Sequence, residues 1–226
     1  MKAKRVSKHI WSLKSWIPFP IHVWVVIDEE GLTLVDAGIP MMAKGIMKFI
    51  KQLEPLRLNR IVLTHGHSDH IGSLKPILKY RNVPVYAHQN EIPFMEGDML
   101  YPRRKKFEVN VEKGIAQPLQ INDQDEILTI SGLTPYLTPG HSPGHVVYYH
   151  SEDQVLLAGD LFTSRNGKLK KPISMFTGDM NEAVKSSMIL RKLKPKQLEV
   201  CHGNTVFHPA NQLEAYLQQF GKDGTN

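Results

Sequence analysis

Cysteine is almost absent from this chain. Cys201 is its only one, so no internal disulfide can form and an oxidising compartment is not required. Long apolar runs are missing too, and no stretch approaches the roughly 18 apolar residues that a spanning helix needs. The amino-terminal MKAKRVSKHIWSLKSW is basic but has neither a continuous apolar core nor a small-residue cleavage site, which makes it a poor signal peptide. No segment has the proline, glycine or serine content of a linker, and no repeat is visible. The expectation is a soluble, cytoplasmic protein with one domain over residues 1–220 and a frayed tail at 221–226.

What is present is ordinary for a globular protein: 226 residues, 41% apolar and 22% charged. Lys and Arg number 28 against 22 Asp and Glu, a net charge of +6 that reads as a basic surface rather than a nucleic-acid footprint.

Residues 5–13 and 23–27 alternate or run apolar and read as strands. Between them, Pro18 and Pro20 are expected to prevent regular pairing and hold Trp16, Ile17 and Phe19 in a stiff loop. VWVVIDEEGLTLVDAG reads as a hairpin that turns at Asp28–Gly31 and ends at Asp36 and Gly38. Residues 40–54 space Met42, Ile46, Phe49, Ile50 and Leu53 as one helical face, with Pro40 in the first turn. A helix near 73–79, the strand VPVYA and a helical segment from His88 to Gly97 follow.

Residues 97–118 mix MLYP, RRKK and FEVNV without clean periodicity, the mark of an insertion or lid. DEILTI, LTPYLT, HVVYYH and QVLLAG then read as short strands, 181–193 as an amphipathic helix, LEVCHG as a last strand and 210–220 as a final helix. Two sets of strands, each followed by helices, predict an α/β chain in which two β-sheets pack together with helices outside.

The chemistry concentrates at IVLTHGHSDHIG, residues 61–72. A buried strand, Ile61–Leu63, ends in a loop carrying His65, His67, Asp69 and His70, side chains that suit zinc and similar divalent ions. Three later segments repeat the design: His141 in TPGHSPGH, Asp160 after VLLAG and His202 after LEVC each lie just past an apolar strand. Gly66, Gly140, Gly159 and Gly203 beside them permit close approach or positive φ. Seven ligand-type residues are too many for one tetrahedral ion and about right for two ions sharing a carboxylate.

The HGHSDH run with later single His, Asp and His resembles the motif of the metallo-β-lactamase-fold hydrolase superfamily, and the likeness extends from VDAG to CHGN. The resemblance implies a four-layer αβ/βα sandwich of two mixed sheets with a metal pair at the sheet edge. It implies that His65, His67 and His141 bind one metal, that Asp69, His70 and His202 bind the other, and that Asp160 bridges them. Asp36 of VDAG matches a carboxylate that supports the metal loop. In such a site a pair of cations lowers the pKa of a bridging water to near neutrality, and Asp69 orients the hydroxide and moves its proton. Zinc is the expected ion, although the same ligands accept manganese or iron.

Departures from particular members narrow the expectation. The position that is cysteine in common zinc β-lactamases corresponds to Asp160, so antibiotic hydrolysis is not expected. The glutathione-binding helical region of glyoxalase II enzymes has no room after His202, and Thr163 stands where acyl-homoserine lactonases have a tyrosine. The leading expectation is a metal-dependent hydrolase of a small ester, thioester or lactone. A nuclease or phosphodiesterase of the same fold is the first alternative, and a non-enzymatic module with a structural metal pair is the second. Trp16, Phe19, Phe162, Met175 and Phe176 are candidate pocket residues. His145 reads as a support for the site, and His22, His88, His150 and His208 as structural or exposed. Cys201 is expected to face away from its neighbour His202 into the core. The basic runs at 103–106 and 168–171 read as solvated loops.

Overall fold

A computed structural model describes residues 1–16 and 19–221 of the chain, so Ile17, Pro18 and the tail 222–226 lie outside the described residues. The first half builds β1 (Lys2–Arg5), β2 (Ile10–Trp16), β3 (Pro20–Asp28), β4 (Gly31–Val35), helix α1 (Ala43–Gln52) and β5 (Leu58–Val62). Helices α2 (Ser68–Ile71) and α3 (Leu74–Tyr80), β6 (Val85–Ala87), α4 (Ile92–Met95) and β7 (Ala116–Pro118) complete it. Its sheet keeps chain order, β1 to β7. Strands β1–β4 pair antiparallel, and helical crossovers make β4–β7 parallel.

The second half supplies β8 (Leu133–Leu137), β9 (Val146–His150), β10 (Val155–Leu157) and a small hairpin, β11 (Thr163–Arg165) with β12 (Lys168–Lys170). Then come α5 (Met180–Ser186), α6 (Ile189–Leu193), β13 (Gln197–Glu199), β14 (Val206–Phe207) and α7 (Leu213–Phe220). The second sheet has the order β14-β13-β10-β9-β8, with β10 and β13 parallel across the α5–α6 crossover.

Strand alternation divides the core in two. Val146 and Tyr148 of β9 and Val155 and Leu157 of β10 face a core shared with the first sheet. Their neighbours Val147 and Leu156 face a second core under Val184, Leu190, Leu213 and Tyr216 of α5, α6 and α7. On the first sheet, Trp11 of β2 meets Phe49 of α1 with ring centroids 5.4 Å apart. Burial of Ile46, Phe49 and Ile50 holds α1 in place at roughly 1.5–3 kcal/mol per side chain. Tyr148 Oη donates to Leu63 O at 2.8 Å, tying the second sheet to the loop where the metal motif begins. Among the described residues no helix is long and apolar enough to cross a membrane.

Several expectations are corrected. Residues 5–13 are not one strand: β1 stops at Arg5 because the Ser7 hydroxyl and the His9 backbone N–H donate to Asp153 across the fold. Pro20 does not keep Trp16 in a loop but opens β3 opposite it, at the strand end where a missing N–H is tolerated. DEILTI forms only isolated bridges, since Asn122 Oδ1 captures the N–H groups of Gln124 and Glu126 in a local turn. The helix expected at 181–193 is broken at Ser187, whose hydroxyl donates back to Val184 O at 2.5 Å. KLK at 168–170 is a strand rather than a loop, whereas 103–106 is the mostly exposed loop expected, anchored where Arg103 donates to the carbonyls of Ser174 and Thr177.

Candidate metal centre

The candidate ligands follow the carboxyl ends of β5, β8, β10 and β13, so loops from both sheets converge on one edge of the sandwich. Asp36, just past β4, organises the first of these loops from a left-handed φ of 59° that aspartate tolerates. Its Oδ1 accepts from Thr64 N at 2.8 Å, and its Oδ2 accepts from Thr64 Oγ1 at 2.8 Å and from His70 Nδ1 at 2.8 Å. A carboxylate only accepts, so the Nδ1 proton of His70 is fixed and Nε2 is aimed at Asp160. Gly66 lets the loop pass close to α4 and Tyr101: a Cβ there would stand 2.4 Å from Met95 Cβ and 2.6 Å from the Tyr101 hydroxyl.

Three imidazoles form one group. His67 Nδ1 lies 3.0 Å from His65 Nε2 and 3.0 Å from His141 Nε2. The Thr64 hydroxyl donates to Asp36 and the Thr177 hydroxyl donates to Ile173 O, so each accepts from its histidine, His65 Nδ1 at 3.1 Å and His141 Nδ1 at 3.2 Å. Both Nε2 atoms are therefore lone pairs directed at a single nitrogen. Burial, then the neighbouring histidines, holds His65 well below the usual imidazole range. Burial also holds His141 well below that range against the attraction of Asp160, and it lowers His67 to about 4.

The second group has the opposite balance. His202 Nε2 lies 3.1 Å from Asp69 Oδ2 and 3.3 Å from Asp160 Oδ2, while its Nδ1 donates to Pro20 O at 2.9 Å. Burial opposes charge on His70, yet Cys201 and the carboxylates of Asp36, Asp160 and Asp69 outweigh it and raise its pKa. Asp160 lies between the groups, with Oδ2 3.5 Å from His141 Nε2 and Oδ1 3.5 Å from His70 Nε2. Its pKa is depressed against burial, chiefly by His202 and His70. His145 positions it by accepting from Asp160 N at Nε2, 3.1 Å away.

This donor set fits divalent cations. Lone pairs converge in the first group without enough protons to share, and carboxylates gather imidazolium charge in the second. His70 Nε2 and Asp160 Oδ1 are buried without any hydrogen-bond partner, a costly state that a cation between the groups relieves.

Sequence reasoning missed four contributors. Glu91 is fully buried and accepts from Gly66 N at 2.9 Å, Tyr101 Oη, Ser142 Oγ and Gly144 N, the last three at 2.8 Å. It clamps the two loops that carry His65, His67 and His141. Burial pushes its carboxyl up, and the four donors oppose that shift. Tyr101 packs on His67 with ring centroids 4.9 Å apart, and Thr177 orients His141. Cys201 does turn into the core shared by the two sheets, opposite Leu198 and Val200, but that side also brings its sulfur within 4.8 Å of donor atoms of Asp69, His70 and His202.

Of the candidate pocket residues, Phe162 is fully buried in the second core against Tyr216, because the chain beyond β10 turns it away from the mouth. Phe19 stands edge-on to His202 with centroids 4.9 Å apart. Trp16, Met175 and Phe176 are exposed, and the Arg104 guanidinium lies 5.5 Å from the Phe176 ring.

Comparison with known proteins agrees with this geometry. A family model described as the metallo-beta-lactamase superfamily matches residues 16–202. A protein named probable metallo-hydrolase YybB from Bacillus subtilis (strain 168) is 34% identical over 224 residues, covering 97% of this chain and 99% of that one. The hydroxyacylglutathione hydrolase GloC of Haemophilus influenzae is 28% identical over 171 residues, 74% of this chain and 76% of its own. A solved structure, TTHA1623 in a di-iron-bound form, superposes with a TM-score of 0.68 at 27% identity, covering 90% of this chain and 96% of that one.

Proposed function

The chain belongs to the metallo-beta-lactamase superfamily and is a metallo-hydrolase, and on that premise we propose that it cleaves a small-molecule thioester at a centre for two divalent cations, zinc first among them. His65, His67 and His141 would hold one ion and Asp69, His70 and His202 the other, with Asp160 between them. The observation that carries this reading is the position of Asp160, within 3.5 Å of nitrogens from both groups. When bound, the ions supply Lewis acidity toward a carbonyl oxygen and bring the pKa of water toward neutrality.

The chain's own residues do the rest. Asp69 is the most open carboxylate of the set, at 27% side-chain exposure, and its Oδ2 rests on His202. That leaves it free to take a proton from the attacking water and return it to the leaving group. A thiolate leaves with little proton assistance, since its ordinary pKa is about 8.5, so the site needs no second acid. Tyr101 is unsuited to that task because its hydroxyl donates to Glu91.

Thr163 also disfavours the lactone alternative. Its hydroxyl donates to Lys171 O at 2.9 Å and is spent within the β11–β12 hairpin. The hydroxyacylglutathione hydrolase name of a relative, whose stated substrate is an S-acyl thioester, supports the same choice. The packing of both sheets on one core supports reading residues 1–220 as one domain; of the segment 97–118, Ala116–Pro118 is strand β7, so only the part before it, where Tyr101 packs on His67, is read as a lid.

The deciding experiment combines metal analysis with an activity screen over thioesters, lactones, β-lactams and phosphodiesters. Two ions per chain and a preference for thioesters are expected, together with loss of turnover in Asp69→Ala while the fold survives. Phosphodiester cleavage as the main activity, or unchanged turnover in that variant, would overturn the reading.

A further inference from the structure

A pocket of about 470 Å³ opens between the β1–β2–β3 edge of the first sheet and the chain after β13. Lys2, Lys4 and Lys14 all line it. Lys2 stands directly opposite Lys14 in the β1–β2 ladder, and Lys14 stands opposite His22 in the next. Like charges placed opposite one another on a ladder repel. Lys14 is accordingly held below the usual ammonium range, by partial burial and then by Lys2 and Lys4.

Two further features point to a ligand. Trp16 is 66% exposed, with the Lys14 ammonium 4.8 Å from its ring centroid. His22 is only 8% exposed; its Nδ1 is bonded to Ser12 Oγ, and its Nε2 meets the Gly203 backbone without a well-formed hydrogen bond. One acidic group, Glu199, also lines the pocket; it is buried and accepts from Thr205 Oγ1 at 2.6 Å and Gln197 Nε2 at 2.9 Å, leaving the lysines in excess.

The pocket shares a wall with the metal centre. His202 donates to Pro20 O and packs against Phe19, while Asn204 and Thr205, just after it, line the pocket. Resting on the thioester reading above, we propose that this pocket holds the phosphate-bearing nucleotide end of a carrier thioester whose acyl end lies at the metal centre. Ammonium groups serve as point charges for phosphate, and an exposed indole offers a face for a base.

The test uses the metal-loaded full-length protein. Adenosine 3′,5′-bisphosphate is titrated against tryptophan fluorescence, and an acyl-coenzyme A is compared with the N-acetylcysteamine thioester of the same acyl group. The bisphosphate should quench Trp16, with affinity falling about ten-fold in Lys2→Gln/Lys14→Gln and with rising salt. The kcat/KM ratio between the two thioesters should be about ten or more, and should fall toward one in that variant. The variant's melting temperature should hold or rise, because a repulsion has been removed.

Equal binding by wild type and variant, equal use of both thioesters, or tighter binding of an RNA oligonucleotide than of the bisphosphate would overturn the proposal. Bisphosphate binding that is lost in the variant, with neither thioester cleaved, would refute the thioester reading while leaving the phosphate pocket standing.

Discussion

Replacing Glu91 by glutamine tests whether the candidate centre is held by a clamp that touches no candidate ligand side chain. Oε1 accepts from Gly66 N and Tyr101 Oη, and Oε2 accepts from Ser142 Oγ and Gly144 N. Each oxygen therefore faces one backbone N–H that cannot rotate away. Whichever way the amide is placed, its NH₂ opposes one of those N–H groups in a fully buried site. The hydroxyls can reverse their roles, but the glycine N–H cannot. One buried unsatisfied donor together with a lost charge-assisted bond costs about 2–3 kcal/mol. For a chain of this length that lowers the melting temperature by roughly 5–10 °C. Because Gly66 and Ser142 adjoin His65, His67 and His141, metal affinity should fall as well, by roughly 10–100-fold. Calorimetry of the metal-free protein isolates the first effect, and metal content after dialysis against a weak chelator measures the second. Melting and metal retention both equal to wild type would refute the clamp.

Other outcomes follow from the same geometry. Stripping metal with a strong chelator should lower the melting temperature, because the converging lone pairs and carboxylates lose their counter-charge, and adding zinc or ferrous iron should restore it. Phe162→Ala should cost about 3–5 kcal/mol in denaturant melts without moving KM, and a changed KM at unchanged stability would return Phe162 to the pocket wall. A third outcome concerns His150, which burial holds below 6.5 against the pull of Asp153. A folded-state pKa below the unfolded one means that the unfolded chain binds more protons, so this contribution to stability is present at neutral pH and lost as pH falls below about 6.5. Urea midpoints at pH 7.5 and 5.5 should therefore differ less in His150→Asn than in wild type.

Position in the chain explains which parts of the molecule the sequence reveals. Ligand-type residues that directly follow apolar strands declare themselves, because residue type and strand end suffice: His65, His67, Asp69, His70, His141, Asp160 and His202 all converge on one edge. Glu91 carries no such signal. Its partners Gly66 and Ser142 are 25 and 51 residues away, and only the packing of α4 under both loops brings them together. The misread strands share a different cause: Asp153 and Asn122 compete for backbone N–H groups that periodicity assigns to a ladder. Cys201 shows what the alternation rule leaves open, which is how close the core side of a strand end comes to the site. Alternation persists past the end of β13 at Glu199, with Leu198 and Val200 in the second core and Cys201 in the first. Past that point the backbone follows the loop that delivers His202, with Cys201 N donating to Gly159 O at 3.0 Å beside Asp160. That contact leaves the thiol in the core and at the metal edge at once. A side chain next to a ligand is therefore placed by the loop's own hydrogen bonds, and the same reasoning applies to Phe162 beyond Asp160, where the turn N–H of Leu161 donates to Ala158 O and the ring goes into the second core.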